Sequence, residues 1–489
     1  MSSPGAFPVP TESALNRLSL HVACFAFVAL FISILAFPRI PESDIWFHLR
    51  NAEELISHKV FLTADLYTFT SAGDSLINHE WLSELPYYFA FKALGPQGLY
   101  LVYLALLIFT FAGVYALATK RGASPLNTTL LCVFGASLGF YSFGPRMMHF
   151  GWVCLVVLQL TLERFTRTSR GLWILPPLFA IWINLHGSWV FGLILLGIHF
   201  ASSLLKFQST KVLAGPWNRT QLKKIAAYSA ISSAALFVNP YGYKLVWYPF
   251  DLLLRQQANI KNVVEWQSVD FQTGFGKLAM LMLFGIVAAF LFSKKPWELR
   301  DLFLTAFALW TSLTHVRFLI FAAILLVPIF APRLHLFPNL QLDRPKAMLT
   351  LGLGCLVVIV MIVMLPNNSE LQAVIDKNYP RDAVAFLRDH RLEGRLLHLY
   401  DWGGYLEWHH RDKKTFADGR TDIFVYNGVF EDYLQITSGR APFETLDKYK
   451  IDAVLFPPNT PFTYSLDHSP KWKRIYTDPI ASIYQRVTN

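Results

Sequence analysis

Apolar runs of membrane-span length recur along the chain. Judged against the roughly 20 apolar residues that a helix needs to cross a bilayer, they fall near 19–38, 98–118, 125–143, 147–164, 171–185, 187–205, 224–238, 276–293, 301–314, 316–331 and 347–365. The pattern predicts an α-helical polytopic membrane protein with about eleven transmembrane helices. Between the first two runs lies a long loop, 39–97, with a helix expected at about 44–58 and another at 81–94. The second is apolar but too short to span, so both are expected to lie in the membrane interface. After about 365 the pattern changes. Residues 380–388 read as an amphipathic helix with Pro380 at its first turn, and 395–399, 451–456 and 481–485 read as short strands. The expected organisation is a transmembrane domain over 1–365, including a first outer loop at 39–97, then a C-terminal α/β domain over 366–489. The first dozen residues are expected to be disordered.

Composition agrees. Hydrophobic residues make up 54% of the 489 and charged residues only 16%, against about 25% charged in a soluble domain. The net charge of +10 would suggest nucleic acid on a soluble surface, but here it sorts by side. With the N-terminus in the cytoplasm, the loops on that side hold Lys120, Arg121, Arg164, Arg167, Arg170, Lys206, Lys223, Lys224, Arg300 and Arg333, while most loop acids fall on the other side. That asymmetry is the positive-inside pattern. The partner it implies is the bilayer, not nucleic acid, and an odd number of spans puts the C-terminal domain outside. The four cysteines (Cys24, Cys132, Cys154 and Cys355) sit inside apolar runs without metal-ligand spacing, as buried small hydrophobes. There is no Gly-Lys-Ser/Thr phosphate loop, His-Glu-x-x-His or Cys-x-x-Cys, which excludes ATPase, zincin and haem-attachment readings.

The same topology collects the polar motifs at the outer ends of spans: Asp44 and His48, His79-Glu80-Trp81, Arg146 and His149, Asn184-Leu-His186-Gly187, Asn239-Pro-Tyr241, Glu265-Trp266 and His315-Val-Arg317. Clustered ionisable groups at the mouth of a membrane bundle mark a functional site. Asp44 can take a proton from an acceptor, or it can cap the helix that follows. His48 is one helical turn on and shares its face, so the two can form an orienting pair or ligate a divalent metal such as Mg or Mn. Glu42 can join that metal set. His79 and Glu80 repeat the acid-histidine chemistry. Arg146 with His149, and His315 with Arg317, suit a phosphate, since Arg grips phosphate oxygens in a bidentate fork; snorkelling at a span end is the plainer role for either Arg. Asn184 and His186 either line a cavity or satisfy backbone groups at a tight reversal. Glu265 can contact a sugar. The loop 418–422 reads as a structural turn.

Together these features resemble the GT-C class of membrane glycosyltransferases, which use polyprenyl-phosphate sugars. The resemblance rests on an acidic residue after the first span, a long outer first loop, about eleven spans and an outer C-terminal α/β domain. More closely, Asp44-Ile-Trp-Phe-His48, His79-Glu80-Trp81, Trp182-x-Asn184-Leu-His186-Gly187, Asn239-Pro-Tyr-Gly242 and Asp401-Trp-Gly-Gly-Tyr405 resemble a bacterial GT-C-like group. The chain lacks the adjacent acidic pair of protein mannosyltransferases. Asp401-Trp-Gly-Gly-Tyr405 only loosely echoes the Trp-Trp-Asp-Tyr-Gly motif of oligosaccharyltransferases.

The resemblance implies an inverting enzyme of the bacterial inner membrane and cell envelope, with a cytoplasmic N-terminus and a periplasmic or extracellular C-terminal domain. It would transfer a sugar from a polyprenyl-phosphate donor to a lipid, glycan or protein acceptor. Asp44 would be the general base, with His48 and Glu80 beside it. His79, Arg146, His149, Asn184, His186, Glu265, His315 and Arg317 would bind substrate. The alternative is a transporter or flippase for a lipid-linked or anionic substrate, but neither repeat symmetry nor mid-span charges are evident.

Overall fold

The computed structural model describes residues 14–487 apart from 40, 256–260, 262, 335, 339 and 341; the first dozen residues, expected to be disordered, lie outside that set. Each of the eleven apolar runs is helical. The chain opens with α1 (Ala14–Ala36), and α2 (Ile45–Ser57) and α3 (Trp81–Leu94) occupy the loop behind it. Next come α4 (Pro96–Lys120), α5 (Pro125–Gly139), α6 (Met148–Thr168), α7 (Leu175–Leu185), α8 (Trp189–Leu204) and α9 (Arg219–Ala235). The outer loop expected after α9 carries a further helix, α10 (Tyr243–Arg255). The series ends with α11 (Gly274–Phe292), α12 (Leu299–Thr314), α13 (Leu319–Phe330) and α14 (Arg344–Val363).

Helix starts follow local chemistry. Ser124 and Asp343 accept the backbone N–H groups of Asn127 and Lys346, each beside a proline in the first turn. Asn218 and Gln221 form a capping box at α9.

Among the described residues four helices are long and apolar enough to cross a membrane: α1 from Asn16, α4, α11 and α14. The remaining runs expected as spans are shorter or more polar helices. In α13 every residue is buried, against α4, α5 and α12. A helix apolar all round belongs in an interior. Its twelve residues reach only about 18 Å, short of a hydrocarbon core of about 30 Å.

The end of α6 remote from Arg146 is locked by buried charge. Arg121 meets Glu163 and Asp301 at 3.0 Å each, and Arg333 meets Asp301 at 3.0 Å. Asp301 is 2% exposed, and its two oxygens join α12 to the C-terminal ends of α4 and α13. Arg300 meets Glu298 at 2.6 Å, so three of the cations counted above as loop charges, Arg121, Arg300 and Arg333, are neutralised within the protein.

Two sequence expectations change here. The helix α2 is not a surface helix: nine of its thirteen residues are buried, between α3 and the helix Gly403–His409. Trp46 meets Phe91, Tyr379 and Tyr405 edge-on at 6.1, 5.7 and 5.3 Å. In the C-terminal segment the sheet has four strands, not three, in the order Arg395–His398, Ile451–Phe456, Ser482–Arg486, Trp472–Thr477. The first pair is parallel and the other two are antiparallel. The strand Trp472–Thr477 lies at an edge and only Trp472 of its residues is buried, so no alternating pattern marks it. The hydrophobic core of the helices continues into this segment through Leu371, Tyr405, Leu455 and Ile483. A second cluster, around Phe416, Tyr433 and Phe462, is its own.

The charge lock yields a test. Asp301→Asn leaves Arg121 and Arg333 buried without a full counter-charge, a change that costs about 3–5 kcal/mol. The expected result is a clear fall in Tm of the purified protein in detergent, and an unchanged Tm contradicts the lock.

Candidate functional site at the start of α2

Asp44 occupies the N-cap position of α2, yet its side chain makes no cap bond and its backbone is already helical. The carboxylate is thus not engaged in capping. Its Oδ1 accepts a bond from Ser43 Oγ at 3.2 Å. Burial pushes its pKa up to about 7, with Glu42 and Glu265 adding to the rise and Arg146 and His48 opposing it.

One turn along α2, His48 stands between two glutamates of the α3 start. Its Nδ1 is 2.9 Å from Glu84 Oε1 and its Nε2 is 3.4 Å from Glu80 Oε2. Burial disfavours the imidazolium, but Glu84, Glu80 and Asp44 outweigh it and raise the pKa. Glu80 is the hub of this cluster. Its Oε1 lies 3.4 Å from His186 Nε2 and 3.8 Å from His79 Nε2. Burial opposes its ionisation, yet the histidines and Arg317 hold its pKa below the usual carboxylate range. His186 accepts the Ser188 N–H at Nδ1, 3.0 Å, which fixes the neutral tautomer whose Nε2–H points to Glu80. Burial lowers its pKa to about 4.

A second chain of charge runs on the other side of Asp44. Arg146 meets Glu42 at 2.8 Å and Glu265 at 2.6 Å, and the other oxygen of Glu265 meets Arg317 at 2.9 Å. Arg317 also lies over the Trp266 ring, 4.4 Å from its centroid, a cation–π contact. Glu265 is half-buried, and desolvation opposes its ionisation, but its two arginines hold its pKa down at about 2.

The structure therefore brings Asp44, His48, His79, Glu80, Arg146, His186, Glu265 and Arg317 into one connected group. Three other sequence candidates hold the scaffold. Asn184 accepts Trp81 Nε1–H at 2.9 Å and donates to the Ala180 and Val238 carbonyls at 2.8 Å each, so its amide is committed to the fold. His149 is fully buried and donates to the Arg146 carbonyl at 2.7 Å. His315 donates to the Trp266 carbonyl at 2.7 Å. Both histidines support the two arginines from behind. The suggested metal pair of Asp44 and His48 does not fit, because both ring nitrogens of His48 are already engaged by Glu84 and Glu80. Among the described residues no group of three or more His, Cys, Asp or Glu is arranged to hold a metal.

No protein family matches the chain, and neither does any curated protein. Among solved structures it is similar to ArnT from Cupriavidus metallidurans bound to undecaprenyl phosphate, at 11% identity over 97% of this chain and 99% of that one, with a TM-score of 0.50. The apo state of the same protein gives 12% identity, the same coverage and a TM-score of 0.52. The chain shares its fold with ArnT.

Within that fold, several residues join the site that sequence reasoning did not place there. Glu84 is 1% exposed and binds His48 and Asn51 through one oxygen and Asn78 through the other, all at 2.9 Å. Its spacing of four from Glu80 on a helix start was the available signal. From the C-terminal segment, the turn at 418–420 lies against Asp44, and Asp422 binds Tyr248 at 3.0 Å. Tyr248 in turn packs on the His79 ring at 4.7 Å. Three charges at 418–422 would have been a signal for more than a turn had their distance in sequence from Asp44 been bridged.

The raised pKa of Asp44 has a stability consequence. The unfolded chain loses this proton near pH 4 and the folded chain near 7. Between those values the folded state binds more protons, so this group's contribution to stability declines as pH rises through the window and stays low above it. Asp44→Asn removes the titration. We expect the variant to gain Tm relative to wild type on going from pH 5 to pH 8; a wild-type advantage that grows with pH contradicts the raised pKa.

Proposed function

We propose that the chain is an integral membrane glycosyltransferase. It takes a sugar from a polyprenyl-phosphate donor and passes it to an extracytoplasmic acceptor, with Asp44 as general base. The observation that carries this reading is Asp44 itself: a carboxylate freed from capping, with a pKa of about 7, between the acid-histidine cluster and a pair of arginines. A base tuned near neutral pH can both take a proton and exist ionised. The GT-C-like fold, shared with a protein that binds undecaprenyl phosphate, supports the choice of donor.

In the proposed reaction the acceptor hydroxyl or amine gives its proton to Asp44 as its lone pair attacks the anomeric carbon. The bond from that carbon to the phosphate oxygen breaks, and polyprenyl phosphate leaves with the electron pair. Attack opposite the leaving group inverts the centre. Arg146 and Arg317 face the developing phosphate charge, which competes with Glu265 for their N–H groups. His48, whose pKa its glutamate neighbours raise, favours the ionised state of Asp44 before the proton arrives. Glu80, His79 and His186 hold His48 and line the acceptor side, while His149, His315 and Asn184 act through the scaffold. We further propose that residues up to about 365 form the membrane domain, that the N-terminus is cytoplasmic in a bacterial inner membrane, and that the site and the C-terminal segment face outward.

Four measurements test the reading. Asp44→Asn is expected to insert and bind a polyprenyl-phosphate sugar as wild type does, while losing transfer by roughly 10²–10⁴-fold. Near-normal transfer by that variant removes the base. Wild-type protein that moves the lipid-linked sugar across vesicles without transferring it favours a transporter. Arg317→Lys keeps the charge but loses the planar fork and its seat on Trp266, so donor binding is expected to weaken by about tenfold; unchanged binding reduces Arg317 to an anchor. Cysteines introduced near Lys206 and Lys224 should be protected from an impermeant label applied from outside, and cysteines in the C-terminal segment should react with it. Labelling of both sets from the same side contradicts the topology.

A further inference from the structure

Three glycines of the C-terminal segment make close approaches around the start of α2. A Cβ on Gly404 would lie 3.1 Å from the Phe47 nitrogen and 3.2 Å from the Ser43 carbonyl, at the backbone flanking Asp44. One on Gly403 would crowd the Ala417 carbonyl and lie 2.8 Å from the Asp418 Cα, so the helix Gly403–His409 presses on the turn that follows Ala417. One on Gly419 would collide with Asp44 Oδ1 and lie 2.9 Å from the Phe47 ring. Only hydrogen fits there, and the Gly419 backbone packs against Oδ1 of the half-buried Asp44 carboxylate.

The turn is anchored from three directions. Arg420 binds Asp418 through its backbone N–H and its Nε at 2.8 Å each, and it reaches Asp65 of the first outer loop at 2.7 Å. Its guanidinium lies 4.9 Å from the Tyr67 ring centroid. Thr421 and Tyr400 share a bond at 2.6 Å, and Asp422 is tied to Tyr248 of α10. Arg420 and Asp65 are nearly fully buried, so the anchor is costly to break.

We infer that the C-terminal segment completes the site: the turn at 418–420 is the wall that keeps water from the Asp44 carboxylate, and Gly419 is its positioning residue. The consequence for transfer rests on the reading of Asp44 as base; the wall does not. The groups that face Asp44 are Glu42 beside it, His48 on α2, Arg146 before α6, Glu265, and Tyr379 and Tyr400 of the C-terminal segment. None of these is altered by adding a methyl group at 419. Displacing the turn admits water, which favours the ionised carboxylate.

The test is infrared titration of the Asp44 carboxyl band in full-length protein in lipid nanodiscs, the band being assigned by its loss in Asp44→Asn. Wild type is expected to titrate near pH 7. Gly419→Ala is expected to lower the midpoint by about one pH unit or more, and Gly404→Ala, with milder contacts, by less in the same direction. Gly428 has φ +79 and open space around it, so Gly428→Ala strains the same segment away from Asp44 and should leave the midpoint in place. A wild-type midpoint in folded Gly419→Ala overturns the wall. If that variant does not fold, an unshifted midpoint in Gly404→Ala overturns it. Normal transfer by Asp44→Asn would remove the base but leave the midpoint shift intact, so the two claims fail separately.

Discussion

The site depends on one constraint: a carboxylate withdrawn from water must be neutral or compensated. Asp44 meets it only partly. Arg146 and His48 pull toward ionisation, while burial, Glu42 and Glu265 push the other way and win by a moderate margin. Glu80 and Glu265 are also half-buried, but each has more positive partners than like-charged neighbours and is held ionised. Three carboxylates at one helix-bundle mouth therefore have different protonation habits, set by who stands beside them. That separation is what distinguishes a candidate base from its supports.

The scaffold serves this balance. The loop between α1 and α4 supplies Asp44, His48, Glu80 and Glu84, and the α2–α3 packing brings His48 between its two glutamates. Arg146 comes from the turn before α6, and Glu265 and Arg317 come from the segments around α11 to α13. Each is fixed by a neighbour: His149 holds the Arg146 carbonyl, His315 holds Trp266, and Trp266 carries Arg317. The C-terminal segment closes the arrangement, with Trp46 inserted among Tyr379, Tyr405 and His409.

Much of this was legible in the sequence because apolar periodicity is local information. The eleven helical runs, three of the four strands and the polar clusters at one set of helix ends could all be read from neighbouring residues. What could not be read was set by tertiary contact. The helix α2 has the composition of an interfacial helix, and only the C-terminal segment lying over it makes it buried. Asn184 and His149 look like cavity residues until their partners, Trp81 and the Arg146 carbonyl, are known. Glu84 lies within an apolar helix start, and its spacing of four from Glu80 becomes meaningful only once His48 stands between them. The charges at 418–422 lie more than 370 residues after Asp44, and no sequence pattern joins the two. The strand Trp472–Thr477 escapes because an edge strand rich in exposed charge lacks alternation.

The central claim is that the arginine pair bridged by Glu265 receives the donor phosphate within reach of Asp44. The most direct measurement is an experimental structure of the full chain with undecaprenyl phosphate in a lipid nanodisc. The account predicts phosphate density on Arg146 and Arg317, with at least one of the Glu265 contacts at 2.6 and 2.9 Å opened to admit it and Asp44 facing the same space. Lipid phosphate bound elsewhere, with the Glu42–Arg146–Glu265–Arg317 chain intact, would contradict it.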